Sequence, residues 1–272
     1  MHPCLAPTVE RLAPIGLSEL EASAALLDRI DHKYVLPVER LASVLTGLDR
    51  YQVLEIDGRR EFTYRSTYFD TASLTTFRHH VQQRRRRYKV RAREYVDSGL
   101  CSFEVKMKGA RGRTVKRRML YDPALHHMTE EANSFLAESV LREYGHAPPE
   151  AMAATLTMRF ERITLVAVEL GERMTIDMGL GFRAPDGAVG RMAAGGVIVE
   201  SKSAGGRASI DRLMQRAGIR PEPACSKYCL GIGLLRPEER VNRFRPLLRR
   251  HFEPELVPAG EEPRRIRPQL PI

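Results

Sequence analysis

The sequence contains no tryptophan, and aromatic residues make up only 7% of it, so platforms on which single-stranded bases could stack are scarce. Its four cysteines, Cys4, Cys101, Cys225 and Cys229, are too few and too scattered for a disulfide framework. Cys225 and Cys229 are spaced more widely than a CxxC zinc knuckle and have no second pair elsewhere. No apolar run reaches the roughly 18 residues of a membrane span. The opening residues MHPCLAPTVERLAP lack a basic stretch followed by an apolar core, so no secretory signal is expected and a reducing cytoplasm is the expected location. Neither a GxxxxGK phosphate loop nor a GxGxxG after a strand is present, which argues against a nucleotide-binding doubly wound sheet. There is no persuasive Ser-His-Asp or Cys-His set. His2, His79, His126, His127, His146 and His251 show no metal-ligand spacing.

What the chain does have is positive charge. A net charge of +10 favours nucleic acid, anionic lipid or polyphosphate as a partner, or else a basic solvated surface. With 43% hydrophobic and 29% charged residues over 272 positions, the chain can bury a sizeable core.

The charges follow the period of a β-strand. Residues 84–108 read as two strands joined at Asp97-Ser98-Gly99. In the first, Arg87, Lys89, Arg91 and Arg93 share a face; in the second, Ser102, Glu104, Lys106 and Lys108 oppose Phe103, Val105 and Met107. The same arrangement returns elsewhere. Arg29, Asp31 and Lys33 share a face, as do Thr114, Lys116 and Arg118, then Arg173, Thr175 and Asp177, then Glu200 and Lys202. Further strands are expected over residues 61–69 and 155–168, the latter with a bulge near Arg162. Helical spacing is expected over 17–27, after Pro37, over 72–82, from a Thr129 cap to Gly145, and over 208–218.

These elements predict an α+β fold: an antiparallel β-barrel with a polar lumen and helices packed around it. Residues 1–27 read as an N-terminal arm or helix and 28–235 as the main domain. Residues 236–272 read as a basic, proline-rich tail that adds no core.

Cations facing one lumen require an anion, and arginine forks match phosphate oxygens. Glu104 and Glu200 are the carboxylates on those faces. They could hold a divalent ion that bridges to phosphate, or could simply neutralise neighbouring lysines.

The segments DHKYVLP (31–37), STYFDT (66–71), RYKVRAREY (87–95), FEVKMKG (103–109), RFERITL (159–165), RMTIDMGLGF (173–182), VIVESKS (197–203) and SKYCLG (226–231) together resemble the catalytic domain of the vacuolar transporter chaperone (VTC) family. That family is a polyphosphate polymerase group within the CYTH-like triphosphate tunnel metalloenzymes. The resemblance implies a tunnel that binds ATP and Mn²⁺ or Mg²⁺ and transfers the terminal phosphate of ATP to a growing polyphosphate chain. It also implies that Lys33, Arg91, Arg93, Lys106, Arg162 and Arg173 carry the reaction. Lys116, Arg118, Lys202, Lys227 and His80 would bind substrate, and Glu200, with Glu104, would hold the metal.

Two departures stand out. His80 replaces an arginine of the best-known eukaryotic members, and the superfamily's ExExK is here Arg29-x-Asp31-x-Lys33, which lowers the expectation of a two-metal hydrolase. The regulatory domain and membrane helices of the eukaryotic polymerases have no counterpart in the sequence, so coupling to translocation is not expected. A tunnel triphosphatase, in which water is the acceptor, is the alternative enzyme. A non-catalytic polyphosphate sensor or a nucleic-acid binder using residues 84–87 and the tail is the alternative outside catalysis, with nucleic acid ranked last.

Overall fold

Alternating charged and apolar side chains become a curled antiparallel sheet in the computed structural model, which describes residues 1–23, 30–110, 113–148 and 151–255. Expectations for Arg29 and for residues 24–27 and 256–272 fall outside that set. The chain begins with α1 (Ala6–Arg11), β1 (Pro14–Ile15), α2 (Leu17–Ser23), β2 (Ile30–Pro37) and α3 (Val38–Leu45). It continues through β3 (Gln52–Leu54), β4 (Phe62–Asp70), α4 (Thr75–Val81), β5 (Tyr88–Tyr95), β6 (Leu100–Lys108), β7 (Thr114–Leu120) and α5 (Glu130–Tyr144). The second half contains β8 (Ala153–Ala167), β9 (Glu172–Arg183), β10 (Val189–Met192), β11 (Gly196–Ser203), α6 (Ser209–Arg216), α7 (Lys227–Leu235), α8 (Arg245–His251) and β12 (Phe252–Glu255).

Neighbouring strands run β7-β6-β5-β4-β8-β9-β11-β2, every pair antiparallel. Among the described residues no ladder joins β2 to β7, so the expected barrel is a curled sheet without hydrogen-bonded closure. On β2 the Lys33 carbonyl instead accepts from Glu222 N–H at 2.7 Å, in the segment that leads into α7.

The outer face is apolar and covered. Val90, Ala92, Phe103, Val105 and Met107 pack under α5, while Tyr34, Leu36, Ile163, Leu165, Met174, Ile176, Val197 and Val199 pack under α1, α3 and α6. α5 begins and ends as expected: Thr129 Oγ1 accepts from Ala132 N–H at 3.1 Å, and Gly145 closes the helix at φ +75°. The expected bulge lies at Arg159–Glu161 of β8, opposite Gly179 at φ +59°. It reverses parity along β9, so Asp177, Leu180 and Phe182 all face inward.

Apolar clusters occupy both ends of the inner face. At one, Ile15 and Leu20 meet Leu54 and Val166; at the other, α4, α7 and α8 cover Tyr68, Leu156, Phe160 and Phe182. α7 lies close on the sheet because Gly231 has no side chain: a Cβ there would fall 2.5 Å from Leu156 and 2.6 Å from Phe182. Contrary to expectation, the chain after residue 236 does add core. Val241, Phe244, Leu247, Leu248 and Phe252 are buried with α7, an apolar stripe masked in the sequence by intervening arginines and prolines.

Asp70 joins two of the distinctive segments. Its buried carboxylate accepts from the N–H groups of Thr71, Thr76 and Phe77 at 2.8–2.9 Å and from Tyr228 Oη at 2.7 Å. It therefore caps α4 and fastens α7 to it. Asp70→Ala leaves several buried donors unsatisfied and is expected to lower unfolding free energy by roughly 2 kcal/mol or more, measurable by urea denaturation.

Candidate active site

The inner faces of the central strands hold the predicted cations. Across β5, β6 and β7, Lys89, Lys106 and Lys116 form one cross-strand row, and Arg91, Glu104 and Arg118 the next. On the other wing, Arg162 faces Asp177, Thr175 faces Glu200, which faces Lys33, and Arg173 faces Lys202, which faces Asp31.

Curling brings these wings together. In a flat sheet β6 and β11 would be about 24 Å apart at the usual strand spacing. Yet Lys106 on β6 is influenced by Glu200, Lys33 and Lys202 on β11 and β2. The first turn of α7 spans the same gap. Lys89 Nζ on β5 donates to Ser226 Oγ at 2.9 Å, while the adjacent Lys227 ion-pairs with Asp177 on β9. Lys106 is thus exposed to solvent while charges of the opposite wing lie near it, so the curled inner face forms a lumen open to water.

Carboxylates organise part of this charge. Glu104, 1% exposed, holds Arg91 at 2.6–2.7 Å through one oxygen and Lys116 through the other. Asp177 grips Arg162 bidentately at 2.5 and 2.8 Å and also takes Lys227. Arg162 stacks over Tyr64 at 4.9 Å, and Arg91 donates to Tyr68 Oη at 3.1 Å. Arg93 is different. It is buried, lies 5.5 Å from the Tyr64 ring centroid and reaches only Ser66 Oγ at 3.4 Å, with no carboxylate in ion-pair range among the described residues.

The site has been assembled from segments spread over most of the chain, and residues 28–236 match the family model described as VTC domain. The chain belongs to the VTC domain family. No curated protein matches it. Its fold is similar to that of a conserved hypothetical protein from Pyrococcus furiosus, at 11% identity and a TM-score of 0.41 over 74% of this chain and 99% of that one. It is also similar to a putative adenylyl cyclase from Hippeastrum described as having a dominant triphosphatase activity, at 16% identity and a TM-score of 0.42 over 79% of this chain and 98% of that one.

Most of the predicted residues of this VTC domain converge on the lumen: Lys33, Arg91, Arg93, Lys106, Lys116, Arg162, Arg173, Lys202, Lys227, Glu104 and Glu200. Arg118 lies opposite Glu104 but on the exposed edge strand. His80 approaches the lumen from α4, with Nδ1 2.9 Å from the carbonyl of Thr76. Burial, then Lys89, push its pKa well below the usual value, so it is a neutral imidazole and not a substitute for arginine's charge. Three contributors escaped the sequence reading as site residues: Lys89, Asp177 and Tyr68. The first two were visible as same-face neighbours of Arg91 and Arg173. Tyr68 gave no such signal.

The two glutamates differ in fitness for a metal. Both oxygens of Glu104 are committed to cations, which suits it to positioning Arg91 and Lys116 and not to the ligating role expected of it. Glu200 is held less tightly, 3.4 Å from Lys33 and 3.7 Å from Lys202. Against the upward push of burial, Lys202, Lys33 and Lys106 keep it well below the usual carboxylate range, so it is ionised. Among the described residues no three His, Cys, Asp or Glu side chains cluster as a metal site. Glu200 therefore fits a hard divalent ion that obtains its remaining ligands from phosphate and water, as Mg²⁺ commonly does.

Burial, opposed by Glu200 but reinforced by Lys33, Lys89 and Lys202, pushes the Lys106 ammonium down to about 7. An entering polyanion favours its charged form. Affinity for tripolyphosphate should therefore weaken as pH rises through about 7, and more steeply in the wild type than in Lys106→Met. Calorimetric titration of both proteins between pH 6 and 9 checks this, because the variant retains the ligand's own titration.

Proposed function

We propose that this VTC domain is an ATP-dependent polyphosphate polymerase. The observation that carries the reading is the excess of enclosed, water-accessible cations over carboxylates, with no carboxylate among the described residues in ion-pair range of buried Arg93. Such a lumen is complementary to a phosphate chain, and membership of a family of polyphosphate-related tunnel enzymes supports it.

In the reaction, an oxygen of the terminal phosphate of polyphosphate attacks the γ-phosphorus of ATP. A new P–O–P bond forms as the bond from that phosphorus to the β–γ bridging oxygen breaks, and ADP leaves with the electron pair. No covalent nucleophile is needed, and catalysis rests on positioning and on neutralising the phosphoryl oxygens.

Arg91 and Arg93 on one wing and Arg162 on the other supply planar donors, while Lys106 on the first wing and Lys33 and Lys202 on the second supply point charges. Glu104 and Asp177 hold Arg91 and Arg162 in orientation, so little rearrangement is required when the transition state forms. Lys116, Arg173 and Lys227 extend the lining along the chain. Mg²⁺ or Mn²⁺ brought in with the phosphates would be held by Glu200, with Asp31 nearby, and would neutralise charge on the phosphoryl oxygens.

Incubation of the protein with γ-labelled ATP, Mg²⁺ or Mn²⁺ and a short polyphosphate primer tests the reading, with products resolved by gel. Label is expected in acid-labile polymer. Label released solely as orthophosphate makes the protein a triphosphatase and overturns the polymerase assignment. In the same assay Arg91→Ala/Glu200→Ala should lose about a thousandfold or more in rate, on the scale of removing transition-state charge stabilisation. Wild-type turnover in that variant would exclude the lumen as the catalytic site.

A further inference from the structure

Outside the lumen, a cleft of about 740 Å³ opens where α4, the loop following it and the end of α5 meet. Arg84, Arg85 and Arg86 line it together with His79, His146 and Tyr88. The sequence pattern placed residues 84–87 in a strand with charges divided between two faces. In the structure β5 starts at Tyr88, and Arg84–Arg86 are exposed in the preceding loop, all three facing one cleft.

Two features distinguish this cleft from an ordinary basic surface. Among the described residues none of its three arginines is within ion-pair range of a carboxylate. Its floor holds a buried donor without an acceptor, since the hydroxyl of Tyr88, a residue 4% exposed, makes no hydrogen bond there. The walls are ordered: His146 stacks on Tyr144 with centroids 6.0 Å apart, and Arg87 fixes the loop by donating to the carbonyl of Arg84 at 2.6 Å.

The cleft is also electrostatically continuous with the lumen. Lys106 and Lys108 lie on the same face of β6, and Lys108 is lowered by burial and then by Arg87. Arg87 in turn adjoins Arg84. A row of cations thus leads from the centre of the lumen past Arg87 to the cleft. His80, on the same helix as His79, is influenced by both Lys106 and Arg87 and lies between the two compartments.

We propose that this cleft is a second polyphosphate-binding site, holding the portion of a long chain that extends beyond the lumen. The proposal rests on the lumen being a polyphosphate site, as argued above. It adds that the protein distinguishes long chains from short ones through residues that take no part in phosphoryl transfer.

The test compares binding of tripolyphosphate and of long-chain polyphosphate to the full chain. The wild type is set against Arg84→Ser/Arg85→Ser/Arg86→Ser and against Tyr88→Phe, with circular dichroism to verify folding. The triple variant should lose roughly tenfold or more in long-chain affinity, with a shallower salt dependence, while tripolyphosphate affinity stays unchanged. Tyr88→Phe, a change too small to unfold the domain, should show a smaller loss in the same direction. Unchanged long-chain affinity overturns the proposal and leaves the lumen reading intact. An equal loss for both ligands overturns it too, because the loop would then act through the lumen. Greater loss for a single-stranded oligonucleotide than for polyphosphate overturns it in favour of nucleic acid. Failure of the wild type to bind either phosphate ligand overturns the lumen reading and this proposal together.

Discussion

Ammonium and guanidinium groups brought together inside a protein repel one another and lose hydration, and every other feature of this chain accommodates that cost. The domain uses two means. Carboxylates at Glu104, Asp177 and Glu200 compensate some of the charge, and others of the cations, such as Lys106, stay exposed to solvent. Compensation is incomplete. The lowered ammonium of Lys106 and the lone guanidinium of Arg93 measure what is left over, and an anionic chain would relieve both.

Rigidity comes from outside the lumen. Apolar clusters under α1, α3, α5 and α6 fix the outer face, so that the strands act as a stiff wall from which long side chains project inward. Cross-strand partners then set where each cation points. Arg91 and Arg162 are each clamped by a carboxylate one strand away, which narrows their rotamers before any ligand arrives. Asp70 performs the equivalent task for the helices, since α4 and α7 converge on its two oxygens.

Much of this could be read from alternation. The faces bearing Arg91, Arg93, Glu104, Lys106, Glu200 and Lys202 were evident because a strand's period is two, and the cap at Thr129 was evident from local chemistry. What period cannot convey is which strands meet. The order that places β6 opposite β11 is a tertiary property, and Lys227 could be assigned only by resemblance to a known family. Asp177 was passed over because its partner Arg162 lies on another strand, past a bulge that displaces the register. The buried stripe from Val241 to Phe252 was hidden by composition: arginine and proline dominate the segment, but its apolar residues still find one another. Arg84–Arg86 were misread as strand because the charge run continues smoothly into β5.

The missing ladder between β2 and β7 has a mechanical consequence. A closed barrel is a hoop whose circumference is fixed by hydrogen bonds, and a polymer inside it can move only lengthwise. Here one seam of the wall carries no such bonds among the described residues, so the bore can widen without breaking any backbone pair of the sheet. On the function proposed above, a phosphate chain in the lumen would then not be topologically captive, and its lateral release would be opposed by side chains and by the segment before α7, where Glu222 N–H donates to the Lys33 carbonyl.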